Sequence, residues 1–194
     1  MVIKPTGSRQ SKIVRSGEAA RIFHAFGPKK GRVLDMGCGA FPFQPSGSGY
    51  EVVGIDQDKV GFVHCDFSYD QLPFPDESLD AVTAWEVFEH LENPFFAMRE
   101  VRRVLKSGGR FFMSVPNPAH IESRVHFFLY GDLPRWRRRS DHIFIPLPAI
   151  MRKTFAKRFN LISMRYALPS LLGFRLPFCA GKHTGLNAVW MFEK

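Results

Sequence analysis

Residues 33–39 read V-L-D-M-G-C-G and residues 52–56 read V-V-G-I-D, and these two stretches decide the fold. Each begins as a short apolar run, which is typical of a strand buried on both faces of a sheet. The first run passes into the glycine turn Gly37-Cys38-Gly39, and the second ends on Asp56. Because parallel strands end at the same edge of a sheet, we expect the turn and Asp56 to be neighbours.

The rest of the chain continues this alternation of strands and helices. Helices are predicted over residues 16–26, 94–105 and 147–159, and residues 117–146 are predicted to be irregular. Such an alternation predicts an α/β, Rossmann-like, doubly wound sheet with helices on both faces. Strands are expected at Arg32–Met36, Glu51–Asp56, Gly61–Asp66, Leu79–Trp85, Arg110–Val115, Leu161–Ala167 and Leu186–Phe192.

Length and composition limit the organisation of the chain. Its 194 residues predict a flexible tail over residues 1–15 and a single domain over residues 16–194. The hydrophobic content of 45% excludes a disordered chain. Three cysteines without a C-x-x-C pair argue against a disulfide framework or a structural zinc site. We therefore expect a reducing, cytoplasmic location.

The charges are segregated along the chain. Residues 35–100 hold 13 of the 18 acidic residues, whereas residues 1–34 and 133–180 are strongly basic. The acidic middle favours a cationic or polyhydroxylated ligand, and the basic flanks favour an anionic partner. That partner could be RNA or an anionic membrane surface, with the protein peripheral to the inner face of the membrane. An ordinary solvated surface is the alternative explanation.

The glycine turn distinguishes between two kinds of adenosine cofactor. Pro42 occupies the position of the third glycine of a G-x-G-x-x-G motif, and the following residues are too rich in proline and glycine for a long helix. A pyrophosphate needs such a helix N-terminus. Asp56 can accept both hydroxyls of a ribose, and Asp66 closes the third strand. Because no lysine or arginine lies among these residues, an adenosine with a positive sulfonium fits better than a dinucleotide.

Six motifs occur in a recognisable order: V-L-D-M-G-C-G (33–39), V-V-G-I-D (52–56), H-C-D-F (64–67), L-P-F-P-D-E-S-L-D-A-V (72–82), E-V-F-E-H-L (86–91) and E-V-R-R-V-L-K-S-G-G-R-F (100–111). Together they closely resemble the class I S-adenosylmethionine-dependent methyltransferases, of the small bacterial kind called methyltransferase type 11. The resemblance covers about residues 30–117. It implies a seven-stranded sheet whose last strand is antiparallel.

The same resemblance implies the cofactor contacts. The backbone of the glycine turn would approach the methionine part of S-adenosylmethionine, Asp56 would hold the ribose, and Asp66 with Phe67 would contact the adenine. The helices after strands one and two are trimmed relative to the family, so the cofactor site is expected to be open or closed by another segment. The full set of predicted cofactor-binding residues is Asp35, Gly37, Cys38, Gly39, Asp56, Gln57, Asp66, Phe67 and Trp85.

Methyl transfer needs an acceptor atom placed in line with the methyl group, and a base only where the acceptor must lose a proton. The candidate catalytic residues are His90, Glu86 and His142. At helical spacing, Glu86, Glu89 and His90 of E-x-x-E-H would share one face. With His142 they resemble the metal sites of ubiquinone-type O-methyltransferases and small-RNA 2′-O-methyltransferases. They could hold Mg²⁺ or a similar ion, although related chains carry E-H-L without metal.

Residues 117–146 are the predicted substrate lid, because aromatic and basic side chains alternate there. The favoured acceptor is a small molecule or a sugar- or lipid-linked group, methylated on oxygen or nitrogen. One alternative is a metal-dependent RNA 2′-O-methyltransferase, and another is a non-catalytic cofactor-binding partner of a second enzyme. The sequence shows no obligate partner. The residues that define the lid are Phe127, Phe128, Tyr130, Trp136 and Phe144 among Arg124, Arg135, Arg137, Arg138 and Arg139.

Overall fold

The computed structural model describes residues 11–39, 41–57, 63–137, 140–171, 174–175 and 180–194. Eight strands form one sheet in the order β3-β2-β1-β4-β5-β8-β6-β7. The strands are β1 Gly31–Met36, β2 Tyr50–Asp56, β3 Val63–His64, β4 Leu79–Trp85, β5 Leu105–Pro116, β6 Asn160–Leu171, β7 Phe174–Arg175 and β8 Gly185–Glu193.

The first five strands are parallel, and β8 inserts antiparallel between β5 and β6. This arrangement confirms the predicted seven-stranded sheet with an antiparallel last strand. The two-residue strand β7 extends the edge beyond β6 and was not predicted. Among described residues 37–39 and 41–49, no helix follows β1, as the proline-rich sequence indicates. Residues 58–62, where the second trimmed helix was expected, lie outside the described residues.

Helices cover both faces of the sheet. Leu34 points to the face packed by Val101 and Phe155, whereas its neighbour Val33 points to the opposite face, packed by Ile13 and Phe23. Such alternation is what a strand with two buried faces requires. The helices are α1 Lys12–Arg15, α2 Glu18–Phe26, α3 Pro94–Val104, α4 Ile121–Tyr130 and α5 Pro148–Thr154, with 3₁₀ turns at Phe88–His90, Pro134–Trp136 and Phe155–Lys157.

Helix α3 follows its sequence signals closely. The side chain of Asn93 accepts a hydrogen bond from the Phe96 N–H at 3.1 Å, and Pro94 occupies the first turn. Proline is favoured there because its missing N–H would have no partner in the helix. Strand β5, however, begins at Leu105 rather than at Arg110, so Gly108 and Gly109 lie within the strand instead of before it.

Two predictions about irregular segments are wrong. Residues 11–15 are not a tail, because α1 runs from Lys12 to Arg15 and its Ile13 side chain is fully buried. Residues 117–146 are not uniformly irregular, because α4 spans ten of them. No helix among the described residues is long and apolar enough to span a membrane.

Candidate active site

A cavity of about 530 Å³ opens where β1, β2 and β4 end. Four acidic side chains lie in its wall, and none of the described residues that line it is lysine or arginine. The wall therefore favours a positively charged ligand over a pyrophosphate. The lining residues are Ser11, Gly37, Gly39, Asp56, Gln57, Phe67, Trp85, Glu86, Val87, Glu89, His90, Leu91, Asp141 and His142.

The glycine turn forms one wall of this cavity. Gly37 has a φ of 67°, and a Cβ at this position would lie 2.5 Å from a methyl carbon of Val87. Only glycine therefore combines this backbone conformation with such a close approach. The N–H of Gly37 donates to the carbonyl of Ile55 at 2.9 Å, and the N–H of Gly39 donates to Oδ2 of Asp56 at 2.7 Å. These bonds hold the turn against the end of β2, as the sequence predicts.

Three predicted cofactor residues complete this side of the cavity. Gln57 and Phe67 line it beside Asp56, and Trp85 lines it from the end of β4. The indole N–H of Trp85 is buried and donates to no atom in the part of the chain that the structure describes. A buried donor without a partner is costly unless a ligand or water accepts from it. The indole is therefore available to a bound ligand.

Asp35 and Cys38 lie behind the turn rather than in the main cavity, and both line a small adjacent cavity of about 10 Å³. Asp35 accepts hydrogen bonds from the Phe43 N–H and the Thr83 hydroxyl, both at 2.7 Å. Burial nevertheless raises the pKa of Asp35 to about 7. Burial also raises the pKa of the Cys38 thiol to about 12, so this thiol stays protonated at neutral pH. Direct cofactor contact by either side chain remains a prediction.

Asp66 is also absent from the wall of the main cavity. Its Oδ1 accepts a hydrogen bond from the Ser68 N–H at 2.9 Å, which stabilises the turn that carries Phe67. The structure thus brings Phe67 to the cavity but gives the Asp66 carboxylate a local role. The predicted contact between this carboxylate and adenine has no support in this geometry.

Glu86 connects four parts of the fold. Its φ of 59° is unusual for a residue with a side chain, and its N–H donates to the carbonyl of Ser114. Its Oε1 accepts from the Asn187 amide at 2.8 Å, and its Oε2 accepts from the Lys12 N–H at 3.1 Å. Glu86 therefore secures α1, with Ser11, at the cavity rim. Closure by another segment was one of the two expectations, but the sequence did not indicate that an N-terminal segment would supply it.

The expectation that Glu86, Glu89 and His90 share one helical face is wrong. The helical turn begins only at Phe88 and is of the 3₁₀ type. Since both oxygens of Glu86 are bonded elsewhere, the residue does not join the other candidate ligands. Among the described residues, the ligand atoms of Glu89, His90 and His142 do lie within 4.8 Å of one another.

Glu89 is the most deeply buried carboxyl of the cavity. It is fully buried, and neither side-chain oxygen has a hydrogen-bond partner among the described residues. Burial, reinforced by the nearby charge of Glu86, raises its pKa well above the ordinary value. Its backbone carbonyl accepts from the N–H groups of Ile143 and Phe144 at 2.8 and 3.0 Å. These two bonds bring the segment around residue 142 to the cavity.

His90 and His142 meet at this point. Their ring centroids are 4.7 Å apart, and Nδ1 of His90 lies 3.3 Å from a carboxylate oxygen of Asp141. Burial and the neighbouring His90 lower the pKa of His142, which keeps its ring neutral at neutral pH. The Nδ1 of His142 is buried without a partner. Asp141 thus orients one imidazole, and a second neutral imidazole lies beside it.

The cavity therefore has two unlike parts. We call Gly37, Gly39, Asp56, Gln57 and Phe67 the strand-end half, and Glu89, His90, Asp141 and His142 the histidine half. Trp85 and Glu86 lie between them in sequence, at the end of β4. The arrangement can hold a polar, positively charged ligand on one side and accept a proton on the other.

The comparisons with known proteins agree with this geometry. A family model described as "Methyltransferase domain" matches residues 34–113. A 27-O-demethylrifamycin SV methyltransferase of Amycolatopsis mediterranei is 39% identical over 70 residues, which cover 34% of this chain and 25% of that protein. A ubiquinone biosynthesis O-methyltransferase of Alkalilimnicola ehrlichii is 25% identical over 174 residues, which cover 71% of this chain and 68% of that protein.

The fold is also found in solved structures. A SAM-dependent methyltransferase from Archaeoglobus fulgidus superposes with a TM-score of 0.64 at 15% identity, over 93% of each chain. The matched part of this chain spans only 25% to 38% of the length of the first curated relatives. The likeness to solved structures shows the fold of this chain. Residues 34–113 are similar in sequence to S-adenosylmethionine-dependent methyltransferases.

Proposed function

We propose that this chain transfers a methyl group from S-adenosylmethionine to an oxygen or nitrogen of a small, sugar-linked or lipid-linked acceptor. The observation that carries the proposal is one cavity with Asp56 and the glycine turn on one side and the His90–Asp141 pair on the other. When bound, the cofactor supplies an already activated methyl group. The protein then has to bind and orient the cofactor and the acceptor, exclude water and accept a proton.

The strand-end half suits the cofactor. A carboxylate at the end of the second strand is a ribose acceptor in adenosine-binding sheets, and Asp56 lies on the cavity wall at that position. The acidic wall without lysine or arginine suits a sulfonium. The unpartnered indole N–H of Trp85 can donate to an oxygen of the ligand. Gly37 lets the backbone approach that ligand closely.

The histidine half suits proton acceptance. A hydroxyl or protonated amine loses a proton on methylation, and an imidazole is the usual acceptor near neutral pH. The carboxylate of Asp141 lies 3.3 Å from Nδ1 of His90 and orients its ring. We assign His90 as the base and Asp141 as its positioning residue. His142 stays neutral beside it and adds no opposing charge.

The size of the cavity supports an acceptor whose reacting part is small. Pockets for single small-molecule ligands measure about 300–1,000 Å³. The 530 Å³ found here must hold the cofactor and the reacting atom together. A larger acceptor would therefore place only its head group inside and leave the remainder outside the cavity.

The test is transfer of tritium from methyl-labelled S-adenosylmethionine into a cell extract, followed by separation into organic, small aqueous and acid-precipitable pools. We expect label in the organic or small aqueous pool, and background label with the Asp56→Ala variant. Nuclease-sensitive label in the precipitate would instead support the RNA alternative. Background label in every pool with the unmodified protein would contradict methyl transfer.

A cation at the histidine half is a second candidate, favoured by the two buried, unpartnered oxygens of Glu89. Glu89, His90 and His142 could hold a divalent ion, and two imidazoles suit Zn²⁺ better than Mg²⁺, which prefers oxygen ligands. Such an ion would polarise an acceptor hydroxyl. We would measure Zn²⁺ binding by equilibrium dialysis for the wild type and for Glu89→Gln. Equal binding by both proteins, or full label transfer in excess EDTA, would exclude this candidate.

A further inference from the structure

Helix α4 is unusual because its large apolar side chains face solvent. Phe128 is 87% exposed and Tyr130 is 70% exposed. Surface helices normally turn their apolar stripe toward the core. An exposed apolar area of this kind marks an interaction surface. We call the following side chains the α4 apolar surface: Ile121, Val125, Phe127, Phe128, Leu129 and Tyr130.

The helix is held by its ends rather than by its apolar side. The ring of the N-cap residue His120 bonds the carbonyl of Ser170 at 2.9 Å, and the Ile121 N–H donates to the carbonyl of His183 at 2.9 Å. The C-terminus stops at Gly131, which is left-handed. Within the helix, only the small Ser123 is buried. The body of the protein therefore fixes α4 and leaves its apolar surface outside.

The charges around this surface are mainly positive. Residues 120–142, which include α4 and the turn after it, contain five arginines but only three acidic residues. Asp132 is within ion-pair distance of both His126 and Arg137. Arg124 on α4 is exposed and makes no ion pair with any described residue, whereas the charge of Arg135 acts on Glu89 and His142 of the cavity. Exposed aromatic residues beside an unpaired arginine are typical of helices that lie in an anionic lipid interface.

Charge also argues against a second copy of the chain as the occupant. In a two-fold symmetric dimer, the same patch faces itself. Arginines outnumber acidic residues in residues 120–142, so such self-contact would leave the positive charge of both copies in excess. An anionic lipid surface instead neutralises that excess while it buries the apolar side chains. Charge complementarity therefore selects lipid.

We propose that α4 docks this protein on an anionic membrane surface, with Phe128 and its neighbours inserted among the lipid head groups. The helix is too short to cross the bilayer, so the attachment is peripheral. A short 3₁₀ turn follows, and its Trp136 ring packs 5.6 Å from the His142 ring in the cavity. Docking would thus place the cavity close to lipid head groups. The proposal goes beyond methyl transfer and does not depend on it.

The test is co-sedimentation of the purified full chain with vesicles of phosphatidylcholine alone and of phosphatidylcholine with one third phosphatidylglycerol, without cofactor. We expect binding to the anionic vesicles only, with a decrease on adding salt. Phe128→Ser should lower the partition coefficient by about ten- to hundredfold, because it removes a buried aromatic side chain. Arg124→Gln should lower it by about fivefold.

Matched controls distinguish vesicle binding by this surface from nonspecific binding. Val63→Ser changes an exposed apolar residue on β3, at the opposite edge of the sheet, and Arg21→Gln changes an exposed arginine on α2; neither should alter binding. Thermal unfolding of Phe128→Ser should match the wild type, because the side chain is exposed. No sedimentation with anionic vesicles would overturn the proposal. Unchanged sedimentation of Phe128→Ser, or a dimer that this variant dissociates, would overturn it as well.

Discussion

The two halves of the cavity differ in how their polar groups are satisfied. In the strand-end half, hydrogen bonds within the protein join Gly37 to Ile55 and Gly39 to Asp56. In the histidine half, both side-chain oxygens of Glu89 and Nδ1 of His142 are buried without a partner in the protein. Buried polar atoms without partners are uncommon and call for an explanation.

This difference indicates which half has its polar groups hydrogen-bonded before a ligand binds. The strand-end half is set by backbone geometry within residues 34–113, the segment that matches the family model. The histidine half takes Asp141 and His142 from outside that segment. This difference fits the proposed methyl transfer. The half proposed for the cofactor is preorganised, because the cofactor is always the same, and the half proposed for the acceptor is completed only when its own ligand binds. The following variants test this contrast between the two halves.

The largest effect is expected at His90. His90→Ala should lower the initial rate of tritium transfer by about 10²–10⁴-fold, because it removes the proposed proton acceptor. Affinity for S-adenosylmethionine, measured by calorimetry, should change less than about twofold, since the strand-end half is untouched. The matched control is His64→Ala on β3, whose side chain is exposed and does not line the cavity. A full rate in His90→Ala would end the assignment of His90 as the base.

The same contrast explains what the sequence could and could not predict. Local patterns predict the glycine turn, Asp56 and the order of the parallel strands, because a few adjacent residues mark each strand end. The position of His142 depends on hydrogen bonds from Ile143 and Phe144 to the carbonyl of Glu89, about 55 residues away, for which no local pattern exists.

Two other features were missed for physical reasons. Glu86 adopts a positive φ, which the sequence does not predict for a residue with a side chain. The helical turn therefore begins only at Phe88, and E-x-x-E-H does not form the expected helical face. Helix α4 was predicted to be irregular, although Ile121, Val125, Phe128 and Leu129 recur at the spacing of one helical face. Phe127 and Tyr130 lie on its other sides, so no single apolar stripe marks the segment as a helix.

The next effect concerns the buried carboxyl of Asp35 behind the glycine turn. Burial raises the pKa of Asp35 from 3.8 to about 7, so the native protein binds its proton more tightly than the unfolded chain does. The resulting stabilisation is complete below about pH 4 and is lost as the pH rises toward 7, a change on the order of 4 kcal/mol in the free energy of unfolding. Urea denaturation at pH 5 and pH 7.5 measures the larger part of this change, about 2.5 kcal/mol.

The variant Asp35→Asn removes this titration. Its free energy of unfolding should fall less between pH 5 and pH 7.5 than that of the wild type, whereas the exposed control Glu51→Gln should follow the wild type. Parallel pH profiles for Asp35→Asn and the wild type would show that Asp35 titrates normally. The carboxyl of Asp35 would then be ionised behind the glycine turn without cost to folding, in contrast to the buried Glu89 of the histidine half.

A smaller effect is expected for Asp56→Ala. The variant loses the proposed charge-assisted hydrogen bonds to the ribose and also the acceptor for the Gly39 N–H. We expect binding of S-adenosylmethionine to weaken by about 1.5–3 kcal/mol in calorimetry. Unchanged affinity would contradict the ribose assignment. A protein that no longer unfolds cooperatively would show instead that the Gly39 bond is required for folding, and Asp56→Asn, which can still accept that bond, would then be the variant to measure.

The smallest effect distinguishes Asp66 from Asp56, two carboxylates that the sequence predicts to contact the cofactor. Asp56 and Asp66 both follow predicted strands, but only Asp56 lines the cavity, and Oδ1 of Asp66 accepts from the Ser68 N–H. Asp66→Ala should lower the free energy of unfolding by about 0.5–1.5 kcal/mol, the net value of one hydrogen bond. Cofactor affinity should stay near the wild-type value. A loss of affinity as large as that of Asp56→Ala would place the Asp66 carboxylate on the ligand and extend the strand-end half to the third strand.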